Sequence, residues 1–408
     1  MAKIMTIQSI GCASHILALS PKHQLFKSKK QHQGQSSDEI PANAIPEIVE
    51  HHDRLRTKVV KFKYNEQASI ALAKEIRNLS ECPNLKPILD SPAKWSSTVE
   101  MDERDWLLRK AYASVAREPK YIEYSSCDSD YLMSRNCAGI LRPFQHASNL
   151  LQKGDEPVSI VLPVFAALRK QLEPSAGIEV CGETPGTTEV ISEGQLDEHS
   201  RNFRAQLRLE VDRNWKLFEH FLSVLKIAAA VDPRYRALAF LDSDDITETR
   251  KMLRETVLRY ATEHRAALTS HQANSDTTNQ GSRKRSLVGM ESFFNAMNKI
   301  RDIPEVPDQA DDHQPHPDQN NQLKRACKAE VNSWFTKDQI DISSDPFDWW
   351  KQNHAAWPCI APIARKFLAI PSSNAGIERL FSSCRELLEF NRQSFHKFVY
   401  ERGKSWHV

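Results

Sequence analysis

Apolar residues recur at intervals of three and four through most of this chain, while glycine is scarce, with 12 in 408 residues. That spacing gathers side chains on one face of a helix, whereas a strand would need alternation. Ala68, Leu72, Ile76 and Leu79 form one stripe, and Val161, Phe165, Leu168 and Leu172 form another. Pro163 fits the second stripe only near a helix start, because it lacks an N–H and clashes with a preceding turn. The longest stripe runs through Val211, Trp215, Phe218, Leu222, Leu225 and Ala229, and Asp232-Pro233 stops it. Leu253, Val257 and Tyr260 continue the theme. The pattern predicts a mainly α fold.

Polar breaks divide the helices. Residues 23–43 are rich in Lys, Gln and Ser and read as loop, as do the polar stretch 119–136 and the Gly-, Pro-, Thr- and Glu-rich stretch 174–195. Residues 270–321 carry Asn, Gln, Asp, Ser and Pro with few apolar side chains. Too little surface could be buried there to offset chain entropy, so a long disordered linker is expected. Within it, Phe293, Phe294, Met297 and Ile300 have the spacing of a short amphipathic helix.

Composition excludes several functions. A net charge of +2 creates no global basic field, though local clusters at Lys27, Lys29 and Lys30 and at Arg283, Lys284 and Arg285 fit a nuclear-import signal, a phosphate contact or a solvated charge run. No apolar run is long enough to span a membrane, and the first residues lack a signal-peptide pattern. Eight cysteines without a Cys-x-x-Cys pair read as reduced intracellular thiols. No glycine-rich phosphate loop is present. Neither a cofactor nor a small-molecule substrate is expected. Cys12 and His15 are two ligands without a partner pair, so no metal site is expected either.

The tail carries the densest signals. Residues 365–370 have apolar side chains on both faces, which suits a buried strand ended by Pro371. Ser372, Ser373 and Asn374 are N-cap types, and Ile377, Leu380, Phe381, Cys384, Leu387 and Leu388 follow at helical spacing. Glu378 stands early in that helix, where it could be solvated, pair with arginine or face a metal ion. Trp349, Trp350 and Trp357 are large apolar anchors for a core or for an interface.

Together, Asp345-Pro346-Phe347-Asp348-Trp349-Trp350, Phe367-Leu368-Ala369-Ile370-Pro371 and Ile377-Glu378-Arg379-Leu380-Phe381-Ser382-Ser383 resemble the C-terminal dimerisation region of hAT-family DNA transposases. Upstream, Cys12-Ala13-Ser14-His15 is similar to the family's Cys-x-x-His motif. Asp90-Ser91-Pro92-Ala93-Lys94-Trp95-Ser96-Ser97-Thr98 is similar to its Asp-x-Pro-Thr-Arg-Trp-Asn-Ser-Thr motif. Leu141-Arg142-Pro143-Phe144, Val161-Leu162-Pro163 and Val231-Asp232-Pro233-Arg234-Tyr235 follow in family order.

The resemblance implies an RNase H-like core interrupted by a helical insertion. On that basis residues 1–22 are a core remnant leading into the insertion, 44–265 an all-helical insertion-like domain, 270–325 the linker and 326–408 the dimerisation region, forming the C-terminal part of an incomplete RNase H-like fold. With the flanking strands missing, exposed apolar surface is expected at Phe367 to Ile370. Dimerisation is assigned to Trp349, Trp350, Leu368, Ile370, Ile377, Leu380 and Phe381, with self-association or other hAT-derived chains as partners and the nucleus as location. Glu378 matches the last of three catalytic carboxylates. The other two, and the family's zinc module, belong upstream of Cys12, eleven residues after Met1. Two hard cations need a carboxylate cluster, so Glu378 is an orphan and the chain is expected to be catalytically inactive. The alternatives are a DNA-binding protein, a fragment of an active transposase with a mis-assigned start, or a decayed transposon remnant. Lys94 and Trp95 are the nucleic-acid candidates, because the family's tryptophan is implicated in stacking on a flipped base. A packing role for Trp95 at a helix start is the competing reading.

Overall fold

The computed structural model describes residues 12–32, 35–79, 84–153, 156–272 and 317–374. These divide into two compact units, one drawn from residues up to Glu156 with Val164–Glu219 and the residues from Ser373 on, the other from Pro157–Pro163 with His220–Ser372. The mainly α expectation holds: the strands among the described residues form two separate antiparallel hairpins.

The first unit opens with α1 (Ala13–Leu25), hairpin β1 (Ser28–His32) and β2 (Gln35–Glu39), and helices α2 (Pro46–Tyr64) and α3 (Glu66–Asn78). Asn65 starts α3 by accepting the Ala68 N–H at 3.0 Å, satisfying one of the donors a helix start leaves open. The stripe Ala68, Leu72, Ile76 is buried as predicted, against Phe62, Trp106, Tyr112 and Tyr121. Next come α4 (Ser97–Val115), a 3-10 stretch Pro119–Tyr124, and α5 (Asp128–Leu151). After α6 (Val161–Gln171), whose third residue is Pro163, the hairpin β3 (Ile178–Cys181) and β4 (Thr188–Ile191) lies on α5, and α7 (Glu198–Trp215) packs on α1. Gly139 permits that hairpin: a Cβ there would stand 2.7 Å from Val180 Cγ1 and 2.8 Å from the Glu179 oxygen. Trp106 Nε1 donates to the Gly182 carbonyl at 2.9 Å and fixes the hairpin's inner edge.

The second unit is built on α8 (Leu222–Val231), whose residues Leu225 to Val231 are all buried. Around it lie α9 (Ser243–Gln272), α10 (Pro317–Thr336), α11 (Pro346–Asn353) and α12 (Ala361–Leu368). The Val158 N–H donates to the Ile370 carbonyl at 2.8 Å, stitching the short segment before α6 to the end of this unit.

Several expectations need correction. Residues 365–370 are not a strand. Arg365 to Leu368 complete α12, which begins at Ala361 with Pro362 in its first turn, and Ala369 and Ile370 form the turn that follows. Ile363, Ala364 and Leu368 are buried while Arg365 and Lys366 are exposed, which is helical spacing; starting the reading at Arg365 hid it. The exposed apolar edge expected at Phe367 to Ile370 is absent too, since Leu368 is buried and Phe367 and Ile370 are half-buried. Among the described residues, therefore, no strand of an RNase H-like sheet stands at this place.

The 119–136 break is smaller than read. Asp130 and Cys127 form a capping box that starts α5, and N-terminal capping residues look like loop in sequence. Residues 23–43 and 174–195 hold hairpins whose strands are too short to register as periodic. The Val211–Ala229 stripe is two helices joined by a 3-10 stretch, Lys216–Phe221, although Asp232 ends it as expected. Residues 317–325 belong to α10, with Leu323 buried, rather than to a linker. The rest of that linker, 273–316, and its Phe293-to-Ile300 pattern lie outside the described residues.

Candidate functional site

The tail's tryptophans converge in the second unit. Trp334, on α10, is wholly buried and stacks on Trp350 of α11, with centroids 5.1 Å apart and planes 21° apart. Trp357 and Trp349 meet the same ring nearly edge-on, at 5.1 and 5.7 Å. Trp334 Nε1 donates to the Ala230 carbonyl at 2.7 Å and Trp350 Nε1 to the Val231 carbonyl at 3.0 Å. Both carbonyls belong to the last turn of α8, which has no intrahelical donors for them. The two indoles thus cap a buried helix end while filling the core around it. The Arg236 guanidinium lies 4.3 Å over Trp334 and 5.2 Å from Trp349, adding cation–π attraction where water is excluded.

The Asp232-Pro233-Arg234 segment closes on itself beside this cluster. Asp232 accepts from the Arg234 N–H at 2.9 Å, from Arg234 Nη2 at 2.9 Å and from the Ser159 hydroxyl at 2.6 Å. Every partner is buried, so this motif sets the turn after α8 and offers no charge to a ligand.

Of the residues assigned to dimerisation, Trp350 and Leu368 are buried within the chain's own core, and Trp349 and Ile370 are half-buried. Ile377, Leu380 and Phe381, together with Glu378, lie outside the described residues. The large apolar side chains that do face solvent in this stretch are Ile342, 67% exposed, and Phe347, 42% exposed. Sequence reading missed both as surface residues. Phe347 follows the helix-capping Asp345, which accepts its N–H at 2.7 Å, and nothing in the spacing separates it from the buried Trp350 three residues on.

The lysine-tryptophan turn lies in the first unit. Asp90 accepts from Arg56 Nε at 3.0 Å, from Arg56 Nη2 at 2.9 Å and from the Thr98 hydroxyl at 2.8 Å, so the first and last residues of the motif are tied together. Ser97 Oγ accepts from the Ser91 N–H and donates to the Lys94 carbonyl, at 2.8 and 2.6 Å. The turn therefore presents Lys94 to solvent while Trp95 is 6% exposed. A base could stack on Trp95 only after its ring left the core.

A buried polar network joins α2, α4 and α5, and sequence reading did not find it. His52 Nδ1 bonds the Ile48 carbonyl at 2.7 Å and its Nε2 lies 3.1 Å from Asp102. His51 Nε2 meets Ser134 Oγ at 3.0 Å, and that hydroxyl donates to Asp105 at 2.9 Å. Lys58 Nζ completes the chain 2.6 Å from Asp105. Burial pushes the His51 imidazole down; it acts the same way on His52, where the Asp102 carboxylate outweighs it and the net direction is up. Burial raises Asp102 as well. The carboxylate–hydroxyl–imidazole run superficially suits nucleophilic chemistry, yet Ser134 is fully enclosed, so the network's work is to hold three helices together. The adjacent His51-His52 pair in line with Ile48, Leu55, Val59 and Phe62 was the available sequence signal.

Among the described residues no group of three or more His, Cys, Asp and Glu side chains is placed to hold a metal ion, and no helix is long and apolar enough to cross a membrane. Cys12 instead sits 3.1 Å from Ser14 Oγ and accepts the Asn374 N–H at 3.3 Å.

Residues 330–397, which contain the tryptophan cluster's α10–α11 contacts, match the hAT family C-terminal dimerisation region. The tail's resemblance to the hAT family is thus supported by a match to that family's C-terminal region. The chain is similar to the human zinc finger BED domain-containing protein 4, 23% identical over 76% of this chain and 23% of that protein. It is also similar to the zinc finger BED domain-containing protein DAYSLEEPER of Arabidopsis thaliana, 22% identical over 78% of this chain and 40% of that protein. The chain thus spans less than half the length of each of these relatives.

Proposed function

We propose that this chain is a transposon-derived nuclear protein that self-associates through its C-terminal hAT region and does not itself cut DNA. The match of residues 330–397 to a dimerisation region carries the reading. Its physical support is a division of labour within that region. Trp334 and Trp350 stabilise the fold from inside, which leaves Ile342 and Phe347 exposed as apolar contacts for a second chain. Ile377, Leu380 and Phe381 are assigned to the same association on their sequence pattern alone. An RNase H-like contribution from the tail and the 44–265 insertion-like domain remain part of this reading, with Glu378 at the position of one family carboxylate. Analytical ultracentrifugation of the full chain tests it: a concentration-dependent dimer is expected. A strict monomer at about 100 µM would remove the proposal, because a weaker affinity is no stable partnership.

A second reading is DNA binding by the helical domain. Its motivation is Lys94, held outward by a turn whose hydrogen bonds fix it. Gel shifts on duplex and hairpin DNA should then show salt-dependent binding that Lys94→Ala weakens. No shift at low salt would end it.

A further inference from the structure

Two cysteines of the second unit take no part in the tryptophan cluster or in the proposed association surface. Cys327 lies on α10 and Cys359 in the turn before α12; both are buried, and their Sγ atoms are 3.7 Å apart although 32 residues separate them in sequence. That distance is sulfur–sulfur contact. A disulfide bond of about 2.05 Å would need side-chain rotation over less than about 2 Å of approach.

The contact is braced. Glu330, one turn beyond Cys327 on α10, accepts the Cys359 N–H at 2.8 Å and the Ile360 N–H at 2.9 Å. A carboxylate from one element thus pins the backbone of the other, at the point where α12 begins. The two thiols are held face to face by that clamp rather than by chance packing of mobile side chains.

We propose that Cys327 and Cys359 are a reversible dithiol–disulfide site that cross-links α10 to the start of α12 when a low-molecular-weight disulfide such as oxidised glutathione accumulates. Cys327 is 2% exposed, so the first step takes place in a local opening of the contact between α10 and the turn before α12: its thiolate attacks one glutathione sulfur, forming a mixed disulfide and releasing one glutathione thiolate. Cys359 then loses its proton and attacks Cys327 Sγ, forming the protein disulfide and expelling the second glutathione thiolate. Two protein thiols lose two electrons and two protons, and the oxidant becomes two glutathione thiols. The order of attack follows from the contact itself: the sulfur–sulfur contact holds Cys327 below the usual thiol range, while that contact and burial push Cys359 up. In a reducing compartment the pair rests as thiols.

The experiment is peptide mapping under non-reducing conditions, on the native full chain after incubation with oxidised glutathione. Cys127 is exposed and serves as an internal record that the oxidant was effective. The expected result is an intrachain Cys327–Cys359 peptide that dithiothreitol removes, together with a rise in Tm of about 10 °C from closing the loop. Cys327→Ser and Cys359→Ser should each abolish the cross-linked peptide, but the wild-type map decides the question even if a variant fails to fold. Glutathione on Cys127 with both buried cysteines recovered as thiols would overturn the proposal. So would a cross-link that forms only in urea, or only between chains.

Discussion

Replacing Trp334 should cost the second unit more than any other single change in the matched region. Truncation of a fully buried tryptophan to alanine removes roughly 3–5 kcal/mol through lost transfer energy and cavity formation. Trp334 also holds ring contacts with Trp349, Trp350 and Trp357. Each such pair is worth about 0.5–1.5 kcal/mol beyond its area, partly overlapping the first figure. The Ala230 carbonyl loses its 2.7 Å donor. A buried acceptor left unpaired costs about 1–3 kcal/mol unless water enters. A total near 5 kcal/mol for Trp334→Ala is comparable with the whole stability of a domain, about 5–15 kcal/mol. Trp334→Phe keeps most of the ring and isolates the hydrogen bond, at about 1–3 kcal/mol. Urea unfolding followed by circular dichroism at 222 nm measures both without relying on tryptophan emission. A double-mutant cycle with Trp350→Phe should return a coupling of about 1 kcal/mol. A Trp334→Ala loss below about 1 kcal/mol, or no coupling to Trp350, would refute the claim that these rings act as core and helix cap.

Phe347→Asp should weaken dimer formation at least tenfold in ultracentrifugation while leaving Tm nearly unchanged, since its ring is already exposed; an unchanged dimer would place the interface elsewhere. Gly139→Ala should destabilise the first unit by about 1–3 kcal/mol in urea melts, because the added methyl meets both a side chain and a backbone oxygen of β3. Asp90→Asn breaks a paired carboxylate facing Arg56 and should cost about 3 kcal/mol by the same assay, with Thr98→Val costing nearer about 1 kcal/mol. The imidazoles of His51 and His52 should titrate in opposite directions from the ordinary value by NMR. Burial lowers the His51 pKa in the fold, so its contribution to stability falls as pH drops through the ordinary histidine range. The Asp102 carboxylate raises the His52 pKa against the effect of burial, so its contribution is full below that range and is lost as pH rises through the elevated folded pKa. Coincident titration of the two rings would contradict the network.

The sequence by itself determined the helical class, the buried stripe of α3, the stop at Asp232 and the family likeness of the tail. Each is local: periodicity, a capping residue or a run of motifs in order. Local pattern misread α12, because six residues taken from Arg365 onward do not include the Pro362 and Ile363 that reveal its period. It also misread short hairpins, whose strands of four or five residues are defined by their partners rather than by their own alternation.

Only tertiary structure decided what the notable residues do. Trp350 and Phe347 stand three positions apart on one short helix, and one is a core ring bonded to a distant carbonyl while the other faces solvent. Trp95 and Lys94 are neighbours, and packing encloses the first and exposes the second. The His51-to-Lys58 network and the facing thiols of Cys327 and Cys359 bring together groups from separate helices and turns. Whether an aromatic ring serves core or partner, and whether two cysteines can react, depends on the surface and atoms opposite them. Those are fixed by the chain's return through space, which spacing along the sequence does not encode.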